Sequence, residues 1–172
     1  CSYENIQFSR DNIDIDIRHG IADWPAYRVM TIKNDQVMAL AAPDYIRRHT
    51  LSSPADLLGC DLIHSSSTLI NWEKWFSWHN VASYHFSYIL SFDRSFMSFE
   101  AAKMGLGVIL ESTMLAQDYV QRGELVPVFG DNFTVQLNAH HIVMPHSSER
   151  TYKVKVFMDW IRSELDRCGF SL

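Results

Sequence analysis

A few short stretches of this chain carry side chains able to hold or transform a ligand. Ser65-Ser66-Ser67-Thr68 is a run of hydroxyls after the apolar "DLIH", and each hydroxyl both donates and accepts, which suits a polar ligand. Ser95, Phe96 and Ser98 stand where an extended segment ending at Phe92 gives way to a helical pattern. The free amides and the dipole of a helix start make an anion site there, with Ser95 also placed to act as the cap. Arg18 and His19 end an alternating stretch, where an arginine fork could take a carboxylate bidentately. His140 and His141 are neighbours on a predicted strand; they face opposite sides, and no third residue has metal-ligand spacing. No metal and no other cofactor is expected.

Gly105-Leu106-Gly107 raises the question of nucleotide binding. A dinucleotide fingerprint runs strand, glycine turn, helix. Here the order is helix, glycines, strand, so the glycines read as a left-handed helix end and a tight turn. No GxSxG elbow is present, and without a reaction motif the chain is not expected to be an enzyme. Plainer structural readings stand beside the others. Arg18 can anchor its own turn, the serine run can be a turn plus a cap, and Ser95 can be only a cap. Trp72, Trp75 and Trp78, three apart, read as the core face of a helix rather than a stacking platform.

The elements that must carry these residues alternate in type. Ile13, Ile15 and Ile17 alternate with Asp14 and Asp16, a strand of period two. "SYENIQF" before it reads as extended, and "QVMALAA", closed by Pro43, as a further strand. "PDYIRRHT" and "SPADLLG" read as short helices, "DLIH" as a buried strand and "NWEKWFSWHN" as an amphipathic helix. Then come strand "HFSYILSF", a helix from Ser95, strand "GVILE", helix "TMLAQDYVQRG", strand "LVPVFG" and strand "LNAHHIVMP". The last helix opens near Ser148, with Val154, Phe157, Trp160, Ile161 and Leu165 as one apolar stripe. Such alternation predicts α/β architecture with largely parallel sheet.

Composition excludes several classes. At 172 residues, with 47% apolar and 20% charged residues, the chain can bury a real core. No apolar run reaches the ~20 residues of a membrane span, and the first residues show no signal-peptide pattern. A net charge of −5 with scattered basic residues speaks against direct nucleic-acid binding. Cys1, Cys60 and Cys168 form no CxxC pair, which fits reduced thiols in a cytoplasmic protein.

The stretch "SFDRSFMSFEAAKMGLGVIL" resembles the effector-binding domain of LysR-type transcriptional regulators, and so do other segments in the same order. "DIDIDIRHGIADWPAYRVMTI" is similar to the family's Asp-rich strand and turn, and Asp23-Trp24-Pro25 to the branch of the glycine-cleavage and D-serine-deaminase activators. "VMALAAPDYI", "SPADLLGCDLIHSSS", "LAQDYVQRGELVPVFGD" and "VKVFMDWIRSEL" continue the likeness over nearly the whole chain. Asp16 departs from it, standing where the family usually has alanine.

The resemblance implies a two-lobed fold of the periplasmic-binding-protein type (type 2), each lobe a mostly parallel sheet flanked by helices. Lobe I would be residues 1–44 plus 137–172 and lobe II residues 45–136, with crossings near Pro43-Asp44 and Gln136-Leu137. The family's winged helix-turn-helix, linker helix and opening strand and helix of lobe I have no counterpart in these residues. A small carboxylate or amino-acid-like effector would sit in a cleft flanked by Arg18, His19, Ser65, Ser66, Ser67, Ser95, Phe96, Ser98 and His141. The whole protein would be a homodimer or tetramer, touching DNA only through the domain not contained here. The alternative is a stand-alone solute-binding protein of a transporter, which shares the fold.

Overall fold

The computed structural model describes residues 7–81 and 85–172. In chain order its elements are α1 (Phe8–Asp11), β1 (Asp16–His19), β2 (Arg28–Thr31), β3 (Gln36–Ala41), α2 (Pro43–Arg47), β4 (Leu62–Ser65), α3 (Trp72–Trp78) and β5 (Tyr88–Phe92). There follow α4 (Ser95–Lys103), β6 (Ile109–Ser112), α5 (Thr113–Gln121), β7 (Val126–Pro127), β8 (Val135–Gln136), β9 (His140–Met144) and α6 (Tyr152–Arg167). The extended reading of "SYENIQF" lies outside the described residues up to Ile6; at its end, Phe8 instead opens α1. "SPADLLG" winds as a 3₁₀ turn over Pro54–Gly59, with the Asp56 carboxylate accepting from the Ser53 amide at its start.

The chain forms two compact units: Cys1–Asp35 with Leu137–Leu172, and Gln36–Gln136. Passage into unit 2 thus comes at Asp35–Gln36, earlier than the expected Pro43-Asp44. The reason is β3, whose hydrogen-bonded neighbours β6, β7 and β8 all belong to unit 2.

In unit 1 the sheet runs β1-β9-β2, with both pairings antiparallel. Ile142 and Met144 of β9 pack against Val154 and Met158 of α6, with Phe157 and Ile161 at the margin. Trp160 is left 55% exposed. It lies six residues from Val154, about 240° round the helix, so its place in the expected stripe falls to Met158. Helix α6 starts at Tyr152 rather than near Ser148, because residues 145–151 are held in turns by Ser148 donating to the Pro145 carbonyl and Thr151 to that of Ser148.

In unit 2, β4 and β5 pair in parallel, and a parallel bridge Leu62–Val108 links β4 to the start of β6. Leu40, Ile63, Phe99, Ala102, Ile109 and Leu125 form the core between this sheet and helices α4 and α5. Strand β3 runs antiparallel to β6, β7 and β8. The largely parallel sheet expected therefore holds around β4, where helices connect the strands, and fails at β3 and in the antiparallel sheet of unit 1. That strand brings the chain into the unit and β8 takes it out, and the pair begins at Gln36 opposite Gln136. Neighbouring strands that enter and leave at one end must run in opposite directions.

Trp72 and Trp75 are buried and meet edge to face at 5.7 Å. Trp78 is 68% exposed, again about 240° from Trp72 on the helix, and the expected three-tryptophan core face has two members joined by Phe76.

Candidate functional site

The two glycines that suggested phosphate chemistry are structural. Gly105 follows the last turn of α4 with φ +74°, the left-handed helix end. At Gly107 an added Cβ would lie 2.3 Å from the Asp61 carbonyl oxygen, so only glycine lets the chain pass β4 and donate from Val108 to that carbonyl at 2.8 Å.

The hydroxyl cluster assembles in unit 2. Strands β4 and β5, parallel and in register from Ile63/Leu90 to Ser65/Phe92, end side by side. Ser66 closes the gap, its amide (2.9 Å) and its hydroxyl (3.2 Å) both donating to the Phe92 carbonyl. Ser67 then bonds in two directions, to the Ser65 hydroxyl and to the Ser95 hydroxyl, each at 3.1 Å. Ser95 is the first residue of α4; the cap position belongs to Arg94, which makes no side-chain cap bond. Ser95 is thus no cap, and its hydroxyl turns to Ser67 instead. The amides of Ser95 and Phe96 precede the first intrahelical acceptor and are free to point at an anion. Phe96 is 63% exposed, whereas Ser98 is buried with its Oγ lacking a protein partner. The result is a connected row of hydroxyls at the carboxyl ends of two parallel strands, set against the positive end of a nine-residue helix. Two surface cavities of unit 2, about 790 and 540 Å³, lie elsewhere, around Arg48 and Met104 and around Ile70 and Trp78.

In unit 1 the expected ligand residues fare differently. Arg18 donates from Nε to Asp16 at 2.7 Å, and its guanidinium lies 5.4, 5.1 and 5.9 Å from the rings of Phe8, Trp24 and Tyr27. It anchors its own neighbourhood rather than waiting for a carboxylate. The same pair accounts for Asp16 in place of alanine. His141 is 1% exposed, with Nδ1 3.0 Å from the Thr31 hydroxyl and Nε2 3.0 Å from the Gly20 carbonyl. Since Nε2 must donate to that carbonyl, Nδ1 accepts from Thr31, and neither nitrogen is left for a ligand. His19 is exposed, and its ring lies 4.8 Å from that of His140. Partial desolvation by the groups packed beside it first, and then the neighbouring His140, hold its pKa below the usual imidazole value. The sequence reading missed Asp35, fully buried and 3.1 Å from His140 Nδ1; a lone aspartate between "IKN" and "QVM" carries no local signal. Among the described residues no group of three ligands fits a metal ion.

The family model for the LysR substrate-binding domain matches residues 4–166. The chain belongs to that family. It is 32% identical to the HTH-type transcriptional regulator PerR of Escherichia coli over 96% of this chain and 55% of that protein. It is 27% identical to the E. coli HTH-type transcriptional regulator DsdC, over 94% of this chain and 54% of that one. The E. coli glycine cleavage system transcriptional activator is 28% identical over 88% and 49%. The resemblance to the branch read from Asp23-Trp24-Pro25 is thereby borne out, and these relatives are regulators, not enzymes. This LysR-type chain spans about half the length of the curated relatives it matches. Among solved structures, the effector domain of AmpR from Pseudomonas aeruginosa superposes with TM-score 0.72 at 22% identity, covering 91% of this chain and 74% of that one. The CrgA regulatory domain from Neisseria meningitidis gives 0.70 at 20%, covering 94% and 81%. Both confirm the two-lobed α/β fold class of the LysR effector domains.

Proposed function

We propose that this chain is the effector-sensing and oligomerising part of a LysR-type transcriptional regulator, and that its effector is a small carboxylate or amino-acid-like metabolite. The observation that carries this is the Ser65–Ser67–Ser95 hydroxyl row at the start of α4. A carboxylate docked there would take the free amides of Ser95 and Phe96 and the Ser95 hydroxyl, all donors, while the remaining hydroxyls suit an ammonium or hydroxyl group. The names of DsdC's companion relatives, which include glycine cleavage activators, favour an amino acid. In unit 1, Arg18 and His141 are committed to packing.

In the whole protein, effector binding would shift the balance between two arrangements of the domain and so alter DNA binding by the helix-turn-helix. That protein would work in the cytoplasm as a homodimer or tetramer; among the described residues no helix is long and apolar enough to cross a membrane. The direct test is calorimetric titration of the chain with glycine, both hands of serine and small dicarboxylates. Saturable binding of at least one, lost on Ser95→Ala with the fold intact, supports the site. Binding unaffected by Ser95→Ala and Ser67→Ala rejects it.

A further inference from the structure

Helix α3 buries Trp72, Trp75 and Phe76 in unit 2 and turns another side outward. On that side Glu73, Lys74, Ser77 and Trp78 fall within an arc of about 140°. With Ile70 before the helix and Val135 and Gln136 of β8, they line one cavity of about 540 Å³. That volume suits a small molecule. Its apolar surface comes from Ile70, Val135 and the Trp78 indole. Trp78 is 68% exposed, although tryptophan is highly buried on average.

The two charges at the cavity are held in place by the protein. Lys74 Nζ donates to the Leu69 carbonyl at 2.9 Å, which leaves two of its three N–H donors. The Tyr88 hydroxyl lies 3.0 and 3.1 Å from the two Glu73 carboxylate oxygens. The acceptor capacity of a carboxylate exceeds one hydroxyl. A fixed cation and a fixed anion, neighbours in sequence, thus stand beside an aromatic wall.

We propose that this cavity is a second small-molecule site on unit 2 and that its ligand is a free aromatic amino acid. The ring packs against Trp78, Ile70 and Val135. The carboxylate accepts from the spare Lys74 donors, and the ammonium donates to Glu73. A purely apolar ligand would leave both charges unused, and an aliphatic amino acid would leave the indole uncovered. None of Ser65, Ser67 and Ser95 lines this cavity, so the site does not depend on the serine row or on its effector.

NMR titration of the 172-residue chain with L-phenylalanine tests it. The readout is the Trp78 indole N–H signal, assigned by its loss in Trp78→Phe. A saturable shift is expected with phenylalanine and none with glycine. Hydrocinnamate, which lacks the ammonium, and phenethylamine, which lacks the carboxylate, should each bind about tenfold more weakly, the scale of one charge-assisted hydrogen bond. Lys74→Gln alters an exposed side chain. It should weaken phenylalanine about tenfold and leave phenethylamine unchanged. Ser95→Ala should leave phenylalanine binding as it was. The absence of a saturable shift up to about 10 mM, ten times a millimolar dissociation constant, overturns the proposal. So does unchanged phenylalanine affinity in Lys74→Gln, an equal response to glycine, or loss of the response in Ser95→Ala, which would assign it to the serine row.

Discussion

Ser67 and Ser95 face each other hydroxyl to hydroxyl at 3.1 Å, joining the loop after β4 to the first residue of α4. Residues 28 apart in sequence meet because β4 and β5 are parallel and end together at Ser65 and Phe92. Ser95→Ala removes this bond without removing a helix cap. We expect it to cost about 0.5–1.5 kcal/mol of stability, the net worth of one hydrogen bond, but about 1.5–3 kcal/mol of binding to a carboxylate ligand. Urea unfolding and calorimetry on the same variant separate the two numbers.

Gly107→Ala should be the more damaging of two glycine substitutions. Its Cβ would meet the Asp61 carbonyl at 2.3 Å, whereas at Gly59 nothing lies within 4 Å. Backbone must move in the first case, so a loss of about 1–3 kcal/mol or more is expected, against little change for Gly59→Ala. Chemical denaturation of both variants checks the contrast.

Helix α5 carries Met114, Leu115 and Tyr119, the residue types of an apolar assembly patch. Tyr119 instead stacks on Phe99 at 4.7 Å and donates to Glu100 at 3.0 Å, so Tyr119→Asp should destabilise unit 2 rather than report on association. Leu115, exposed on the same helix, is the better probe. If α5 contributes to the proposed dimer, Leu115→Asp shifts sedimentation toward monomer with an unchanged melting temperature; equal sedimentation of both proteins would remove α5 from the interface.

Acid should weaken the fold partly through His79. Its ring packs against Trp75 at 4.4 Å and Phe133 at 5.6 Å. Burial lowers its pKa, with a smaller opposing effect from the Phe133 backbone. A histidine with a lowered folded pKa binds fewer protons folded than unfolded. Its contribution is therefore intact above the ordinary imidazole pKa, about 6.5, and is lost as pH falls from there through the folded value. Melting temperatures at successive pH values should decline below about pH 6.5, and His79→Phe should flatten that decline.

The sequence by itself determined the family, the order of the helices from α2 to α6 and the helix start that carries Ser95, because these rest on local patterns: periodicity, turn residues and motifs in series. It also placed the Gly105 and Gly107 punctuation correctly, since left-handed turns and close backbone approach are glycine's local signature. Only the tertiary structure decided which polar residues remain free for a ligand. Arg18 and His141 read as binding groups because residue type announces chemistry but not satisfaction. Asp16, three aromatic rings, Thr31 and the Gly20 carbonyl had already claimed them. Asp35 had no local signal at all, because a buried carboxylate acquires its meaning from His140, a partner 105 positions away. The direction of β3 was decided the same way, by where the chain enters and leaves its unit, a constraint that belongs to strand neighbours and that no window along the chain contains.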